Sequence, residues 1–465
     1  MLALALVVAV LAGCAGAATP PSRPPPSGPG ADDHERAGAP DEGPDAQVDT
    51  SDGGSRSPSR CPDEPACRAS CERGDGGSCR DLGVLLHEAG RFDEAEPAYR
   101  RACEAGAAQG CRNLGVLLQE LGRDGEAETA YGQACEGGDV DGCNNHGVLL
   151  QQGDRGQEAA AAFRRACDGG SAGGCRNLGL ALQDEGRDTE AEAAYRGACE
   201  GRDAGGCANL GVLLLRRGER AEAERVCRRA CDAGEAAGCA TLGVILDEAG
   251  RVDDAIAASR RACEGGEPSG CANLGVLLQD QGHADEARAA LGQACEGGAA
   301  SGCTNLGVLL RELGRNRDAE AAYRQGCDGG DGAGCANLGV LLGDLGRRAE
   351  AEAASRRGCE AGDAGGCRNL GLSLEARGEA AEAERAYQRS CDAGDGGGCT
   401  NLGLRLRRRG RQQEALSAYR RACEADDGAG CRNLGLMLES RGQAQDALTA
   451  HRRACELGET DSCEE

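Results

Sequence analysis

Two amphipathic stripes alternate along most of the chain. The first stripe has the 3.6-residue spacing of one helix face, and in one copy it consists of Cys111, Leu114, Leu117, Leu118 and Leu121. The second stripe has the same spacing and follows the turn at Gly122, with Ala127, Ala130, Tyr131, Ala134 and Cys135. The pattern predicts two short antiparallel helices. Asp93 with Glu96 and Thr189 with Glu192 are predicted capping boxes for second helices.

This unit repeats every 32 residues, and two cysteines eight residues apart mark each junction between units. The predicted pairs are Cys71 with Cys79, Cys103 with Cys111, Cys135 with Cys143, Cys167 with Cys175, Cys199 with Cys207, Cys231 with Cys239, Cys263 with Cys271, Cys295 with Cys303, Cys327 with Cys335, Cys359 with Cys367, Cys391 with Cys399, Cys423 with Cys431 and Cys455 with Cys463. A fixed period of this length indicates one all-α solenoid rather than several globular domains.

Small and aromatic residues recur at fixed places in the repeat. A glycine such as Gly115 follows a leucine in every repeat but one, where His146 precedes it, and an alanine follows twelve residues later in all of them. The site four residues before the first cysteine holds seven of the eight aromatic residues. These rings are predicted to be core, so no aromatic set is left for stacking nucleic-acid bases. Gly106, Gly138 and Gly170 are predicted left-handed helix ends.

One repeat resembles the tetratricopeptide repeat in the order of its marker residues, which are Leu-Gly and then Gly122, Ala127, Tyr131 and Ala134. The C-x7-C link resembles the sel-one-like repeat in its secreted, cysteine-rich subgroup. The resemblance covers residues 71–463. It implies a right-handed superhelix whose first helices line a concave groove that binds peptides or proteins. Some cysteine-rich relatives are described as penicillin-binding or as β-lactamases, which gives an alternative function.

Residues 1–14 are predicted to be a lipoprotein signal peptide. The run Met1–Gly13 is apolar, too short to span a bilayer, and is followed by Cys14. Leu11-Ala12-Gly13-Cys14 resembles a bacterial lipobox, which implies that Cys14 is lipidated and held at the outer membrane. The alternative is a plain secretory signal and a soluble periplasmic or secreted protein. In either case the chain is exported.

Three roles are open to the paired cysteines: zinc ligands, catalytic thiols or disulfides. The spacing does not match structural zinc sites, which place cysteines two to four residues apart. A catalytic thiol needs a singular, polarised environment that thirteen equivalent pairs cannot all have. In an exported protein disulfides persist. Since one cysteine ends a helix and its partner opens the next, we predict thirteen local disulfides and neither metal nor cofactor.

The remaining segments follow from composition and the period. Residues 15–60 contain nine of the 13 prolines and are predicted to be a disordered tether. Residues 61–78 are a predicted half-repeat cap, residues 79–455 twelve repeats, and residues 456–465 a C-terminal tail. Cys61 and Cys67 are free to pair in the cap. Cys227 takes an aromatic core site as a buried thiol, or alternatively forms an intermolecular crosslink.

The net charge and the absence of lysine disfavour two classes of function, nucleic-acid binding and serine β-lactamase activity. The net charge is −25 and all basic residues are arginine, which disfavours nucleic acid as a partner. Without lysine, neither the S-x-x-K nor the K-T-G element of a serine β-lactamase can exist. Arg100 and Glu104 exemplify a predicted ion pair within a helix. The chain is therefore predicted to be a monomeric, non-enzymatic scaffold that binds a protein or peptide and contacts membrane only through its lipid.

By the resemblance, the residues four and five after the Leu-Gly glycine face the groove. Most are polar or acidic, but in the eleventh repeat they are Arg407 and Arg408, with Arg405, Arg409 and Arg411 beside them. Five arginines in seven residues predict either ion pairs within the protein and compensation of the helix dipole, or a site for the carboxylate of a partner.

Overall fold

The computed structural model describes Cys61 and residues 63–463. The predicted signal peptide, Cys14 and the tether of residues 15–60 lie outside the described residues. In the described part, helix Glu64–Glu72 precedes twelve helix pairs, and a 3-10 turn at Thr460–Ser462 ends it. These residues contain no strand and no helix long and apolar enough to cross a bilayer.

The first helix of each pair carries the Leu-Gly element. These helices are Gly76–Glu88, Ala108–Glu120, Val140–Gln152, Ala172–Asp184, Ala204–Arg216, Ala236–Glu248, Pro268–Asp280, Ala300–Glu312, Gly332–Asp344, Ala364–Ala376, Gly396–Arg408 and Gly428–Glu439. Each begins three residues before the second cysteine of its junction. The turn between two pairs is therefore shorter than the seven residues that separate the two cysteines. The first pair therefore begins at Gly76, inside the segment predicted as a half-repeat.

The second helix of each pair ends on the next junction. These helices are Phe92–Glu104, Asp124–Glu136, Gly156–Asp168, Asp188–Glu200, Arg220–Asp232, Val252–Glu264, Ala284–Glu296, Asn316–Asp328, Arg348–Glu360, Ala380–Asp392, Gln412–Glu424 and Ala444–Glu456. The described chain divides into two units, residues 61–245 and 246–463. Within each unit, consecutive helices pack against one another as in an α-solenoid.

The core of a repeat is a close contact between a glycine and an aromatic ring. A Cβ on Gly115 would lie 2.6 Å from Cδ1 of Tyr131, so only glycine lets the first helix approach the ring. Tyr131 is fully buried, as are Ala127 and Ala134 beside it. In the single N-terminal helix the equivalent of this ring is Cys67, which is completely buried and bridged to Cys61.

The predicted disulfides are all present in the structure. Thirteen bridges join cysteines eight residues apart, from Cys71–Cys79 to Cys455–Cys463. Eleven of them connect the last turn of one helix pair to the first turn of the next, while Cys71–Cys79 ties the N-terminal helix to the first pair and Cys455–Cys463 ties the last helix to the C-terminal 3-10 turn. Arginines also cross the junctions, donating to the carbonyl of the first cysteine one repeat earlier: Arg165, Arg229, Arg357, Arg389 and Arg421.

The predicted left-handed helix ends are confirmed, since Gly106, Gly138 and Gly170 have φ values of 80°, 85° and 95°. The predicted capping boxes are wrong. Helix Phe92–Glu104 has Arg91 as its N-cap, and no side chain accepts a hydrogen bond there. Thr189 likewise lies inside the first turn of its helix, after Arg187. A left-handed glycine before each arginine sets the start of the helix two residues earlier than the sequence suggests.

An arginine–glutamate fork stands where a capping box was expected. Arg91 donates to both oxygens of Glu94 at 2.8 Å and also reaches Glu64 of the preceding second helix at 2.9 Å. The predicted pair of Arg100 with Glu104 is wrong as well, because Arg100 bonds Glu96 at 2.7 Å instead. A glutamate of one second helix, such as Glu96, thus forms ion pairs with an arginine of its own helix and with an arginine of the next repeat.

Candidate binding surface on the first helices

One face of the first helices has the features of a binding surface. Within each unit, neighbouring first helices approach one another more closely than neighbouring second helices do, so the first helices line the inner side. Counted from the Leu-Gly glycine, the residues two before, one after and five after lie on one helix face, since they are three and four apart. We call this face, with the residue four after the glycine at its edge, the first-helix surface.

An asparagine row runs along this surface, two residues before the glycine. Its members are Asn113, Asn145, Asn177, Asn209, Asn273, Asn305, Asn337, Asn369, Asn401 and Asn433. Most are half-buried. Asn177 donates to Asn144 at 2.9 Å, and Asn433 to the carbonyl of Ala429 at 2.9 Å. The amides of Asn113, Asn209, Asn305, Asn337, Asn369 and Asn401 form no hydrogen bond with other described residues.

The sequence analysis missed this row. The signal for it was available, because Asn recurs at the same place of ten among twelve repeats. The core does not need an amide there, since Thr241 and Asp81 occupy the same position. Asn145 hydrogen-bonds the core Tyr131, but six of the ten amides have no partner among the described residues, which makes the row a candidate binding feature.

Core tyrosines are connected to this surface by hydrogen bonds. The hydroxyl of Tyr131 donates to Gln119 at 3.1 Å, and that of Tyr387 donates to Glu375 at 3.0 Å. In each case the acceptor is the residue four after the glycine, twelve residues before the tyrosine. Burial raises the pKa of Tyr131 and of Tyr387, so both remain hydroxyl donors at neutral pH.

Carboxylates make the middle of the surface acidic. Burial raises the pKa of Asp247, and the charges of Asp280 and Glu248 raise it further. Burial also raises the pKa of Asp184 in an earlier repeat. The surface therefore carries a negative potential that favours basic or neutral ligands along most of its length.

The arginine cluster of the eleventh repeat divides into separate ion pairs. Arg405 and Arg408 share Glu375, at 3.1 and 3.2 Å. Arg409 and Arg411 share Glu384 on a second helix, at 2.8 and 2.5 Å. For these four arginines the structure shows the intramolecular pairing that the sequence left as one of two possibilities.

Arg407 is the exception in that cluster. It is exposed and forms no ion pair with the described residues. Of the five arginines, it is the one whose positive charge is left for a partner.

A shallow cavity of about 400 Å³ lies on the same surface in an earlier repeat. Its lining consists of Val308, Arg311, Glu312, Tyr323 and Asn337. Arg311 occupies the position equivalent to Arg407 but is paired with Asp344 at 2.9 Å.

The free cysteine and the histidine of the last repeat occupy core positions of the repeat. No group of three His, Cys, Asp or Glu side chains converges as a metal site requires within residues 63–463. Cys227 is fully buried against Gly211, and burial raises the pKa of its thiol to about 12. His451 takes an aromatic core site and lies 3.2 Å from Glu439.

Comparisons with known proteins agree with this architecture. The tetratricopeptide repeat family matches residues 80–139, 206–237, 268–293, 332–357 and 399–425. The comparison with curated proteins gave no match.

A solved structure shows the same fold. The crystal structure of c5321, a protective antigen of uropathogenic Escherichia coli displaying an SLR fold, is 21% identical with a TM-score of 0.54. The match covers 86% of this chain and 94% of that one. A Sel1 repeat protein from Oxalobacter formigenes is 19% identical with a TM-score of 0.48, over 60% of this chain and 90% of that one. With its 32-residue helix pairs and Leu-Gly elements, the chain is similar in sequence to the tetratricopeptide repeat family over those residues, and it shares the fold of the SLR protein c5321.

Proposed function

We propose that this protein is an exported, non-enzymatic scaffold that binds extended segments of other proteins on its first-helix surface. The asparagine row carries the proposal. A primary amide both donates and accepts, so it matches the N–H and C=O groups of a polypeptide backbone without regard to sequence. Half-buried amides without protein partners are ready to make such bonds.

The spacing of the row fits an extended chain. Neighbouring packed helices lie about 8–10 Å apart, and an extended chain advances about 3.3 Å per residue. One repeat therefore spans about three residues of ligand. Side-chain selectivity would come from the residue one after the glycine, which is exposed at Leu180, Leu372 and Leu436.

The test combines selection with a matched set of variants. Peptides displayed on phage are selected on the immobilised protein, and the affinity of an enriched peptide is measured by fluorescence anisotropy. Replacing Asn337, Asn369 and Asn401 together with alanine is expected to weaken binding at least tenfold. Asn433→Ala is the control, because that amide already bonds Ala429 within its own helix. Equal affinity of the triple variant and the wild type, or no enriched peptide at all, would refute the proposal.

We further propose that the protein is a monomeric lipoprotein of the bacterial outer membrane, anchored through Cys14. Fourteen disulfides in the described residues support an oxidising compartment outside the cytosol. A palmitate analogue fed to cells is expected to label the wild type and not Cys14→Ser. Equal labelling of both would exclude the anchor and favour a soluble periplasmic or secreted protein. Light scattering after size exclusion tests the monomer.

The alternative function is β-lactamase or penicillin-binding activity. The missing lysines and the missing metal grouping within residues 63–463 support the non-enzymatic proposal. The purified protein is expected to leave a chromogenic β-lactam intact at micromolar protein concentration. Turnover that persists in repeated preparations would establish the enzyme instead.

A further inference from the structure

The eleventh repeat differs from the eighth in one ion pair. In the eighth repeat Arg311 bonds Asp344, which is 33 residues further on in the next first helix. The residue 33 after Arg407 is Ser440, whose hydroxyl donates to the carbonyl of Met437 at 2.7 Å. Arg407 therefore lacks the partner that neutralises its equivalent.

The other carboxylates in the repeat register do not pair with Arg407. Glu375, one repeat earlier, accepts from Tyr387 and pairs with Arg405 and Arg408. Glu439, one repeat later, lies 3.2 Å from His451. An exposed guanidinium thus remains with its fork of donors available for an incoming anion.

A second feature lies at the same place. Tyr419 is completely buried, yet its hydroxyl has no hydrogen-bond partner among the described residues. The hydroxyls of Tyr131, Tyr195 and Tyr387 each bond the residue twelve positions earlier. For Tyr419 that residue is Arg407, which cannot accept a hydrogen bond. A buried donor without an acceptor costs free energy, which an acceptor supplied by a ligand would recover.

Burial raises the pKa of the Tyr419 hydroxyl, and the charges of Arg407 and Arg408 lower this pKa in part. The pKa is raised overall, so the hydroxyl stays protonated and can donate at neutral pH. Leucines flank the site on both sides along the first-helix surface. Leu372 and Leu436 are 48% and 44% exposed, one repeat before and one repeat after Leu404.

We propose that Arg407 and Tyr419 together bind the carboxylate of an acidic side chain in a polypeptide partner whose neighbouring residues are aliphatic. One carboxylate oxygen accepts from the Tyr419 hydroxyl, and the carboxylate also accepts from the guanidinium of Arg407. The aliphatic neighbours contact Leu372 and Leu436. This inference rests on the proposed function, and it names the class of segment that the C-terminal repeats select.

The experiment uses the full chain and two fluorescein-labelled nine-residue peptides. One consists of Leu-Glu-Ser repeats, matched to about three residues per structural repeat, and the other of Leu-Gln-Ser repeats. Anisotropy is expected to show at least tenfold tighter binding of the glutamate peptide. We expect Arg407→Gln to weaken it about tenfold and Tyr419→Phe about three- to tenfold, with the salt dependence of binding reduced in Arg407→Gln.

Two further variants complete the design. Ser440→Asp restores the partner that Arg311 has, so it is expected to weaken glutamate-peptide binding without removing any residue of the site. Arg385→Gln is the control and is expected to leave the affinity unchanged, because this exposed arginine lies on the second helix Ala380–Asp392, away from the first-helix surface. Circular dichroism checks that each variant is folded.

The outcomes separate this inference from the proposed function. If both peptides bind equally, or if Arg407→Gln and Ser440→Asp leave affinity unchanged, the carboxylate site is refuted while peptide binding stands. If the glutamate peptide does not bind the wild type, the site is refuted, and a failed peptide selection would then refute the scaffold proposal too.

Discussion

Removing one disulfide should loosen two helices and leave the rest of the array intact. Cys135 and Cys143 are both buried, pack with Ala166 and close a loop with a sequence separation of 8. In the chain-entropy model such a loop stabilises the folded state by about 2.5 kcal/mol at 25 °C. Replacing both cysteines with alanine should therefore lower the local free energy of opening by about this amount, with a small further loss from the missing sulfur atoms.

Hydrogen exchange read by mass spectrometry measures this loss where it occurs. A change of 2.5 kcal/mol is expected to accelerate exchange about 70-fold in protected amides of Asp124–Glu136 and Val140–Gln152. Repeats further away should exchange as in the wild type, because each repeat contacts only its neighbours. Acceleration spread evenly over the whole array, or none near residue 140, would refute the reasoning.

Complete reduction has a different expected outcome. Thirteen bridges share this separation, so their combined effect exceeds the roughly 5–15 kcal/mol that holds a typical domain folded. Reduced protein should lose most of its helical circular dichroism under conditions in which the double alanine variant keeps it. Full helicity after verified reduction would show that the packing of alanine and leucine is sufficient without the bridges.

Three other predictions concern single positions. Cys227 should resist iodoacetamide at pH 8 in the native protein and react after denaturation without reductant, because burial raises its pKa to about 12; labelling of the native protein would contradict this. Since the folded pKa is raised, the stability that this thiol contributes should be complete below its unfolded pKa of about 9 and be lost as the pH rises towards 12. Tyr387→Phe should destabilise the protein by about 1 kcal/mol, whereas Tyr419→Phe, which removes an unpartnered hydroxyl, should be neutral or stabilising in thermal melts. Arg202 has φ of 69° where most repeats have glycine, so Arg202→Gly should raise stability by about 1 kcal/mol, and an unchanged or lower melting temperature would contradict it.

The repeating elements were predictable because each depends on residues close in sequence. The helix pair follows from two apolar stripes, and the bridge follows from cysteines at the ends of adjacent helices. The left-handed turns at Gly106 and Gly138 follow from glycine alone. A repeat array contains mainly such short-range relations, so the pattern of one repeat predicts most of the next.

The capping-box error involves a contact that crosses between repeats. Asp93 and Glu96 have the spacing of a capping box, but Glu96 instead bonds Arg123 of the next repeat at 2.7 Å. A single repeat does not show this competition, because the two residues lie 27 positions apart in the sequence. The pairing of Arg311 with Asp344 was hidden for the same reason.

Function in such an array is best sought where one repeat departs from its own pattern without a compensating change. Cys227 stands where most repeats have an aromatic residue, and the residue twelve before it is Leu215. In that repeat the tyrosine hydroxyl and its acceptor are therefore both missing, and no donor is left without a partner. At Tyr419 the hydroxyl remains while its acceptor position becomes Arg407, and the carboxylate that could neutralise that arginine becomes Ser440. In the free protein these changes leave the Tyr419 hydroxyl and the Arg407 guanidinium without partners among the described residues, although Ser440 bonds the carbonyl of Met437. An acidic ligand supplies an acceptor for both groups, so recognition of a carboxylate accounts for the two departures together.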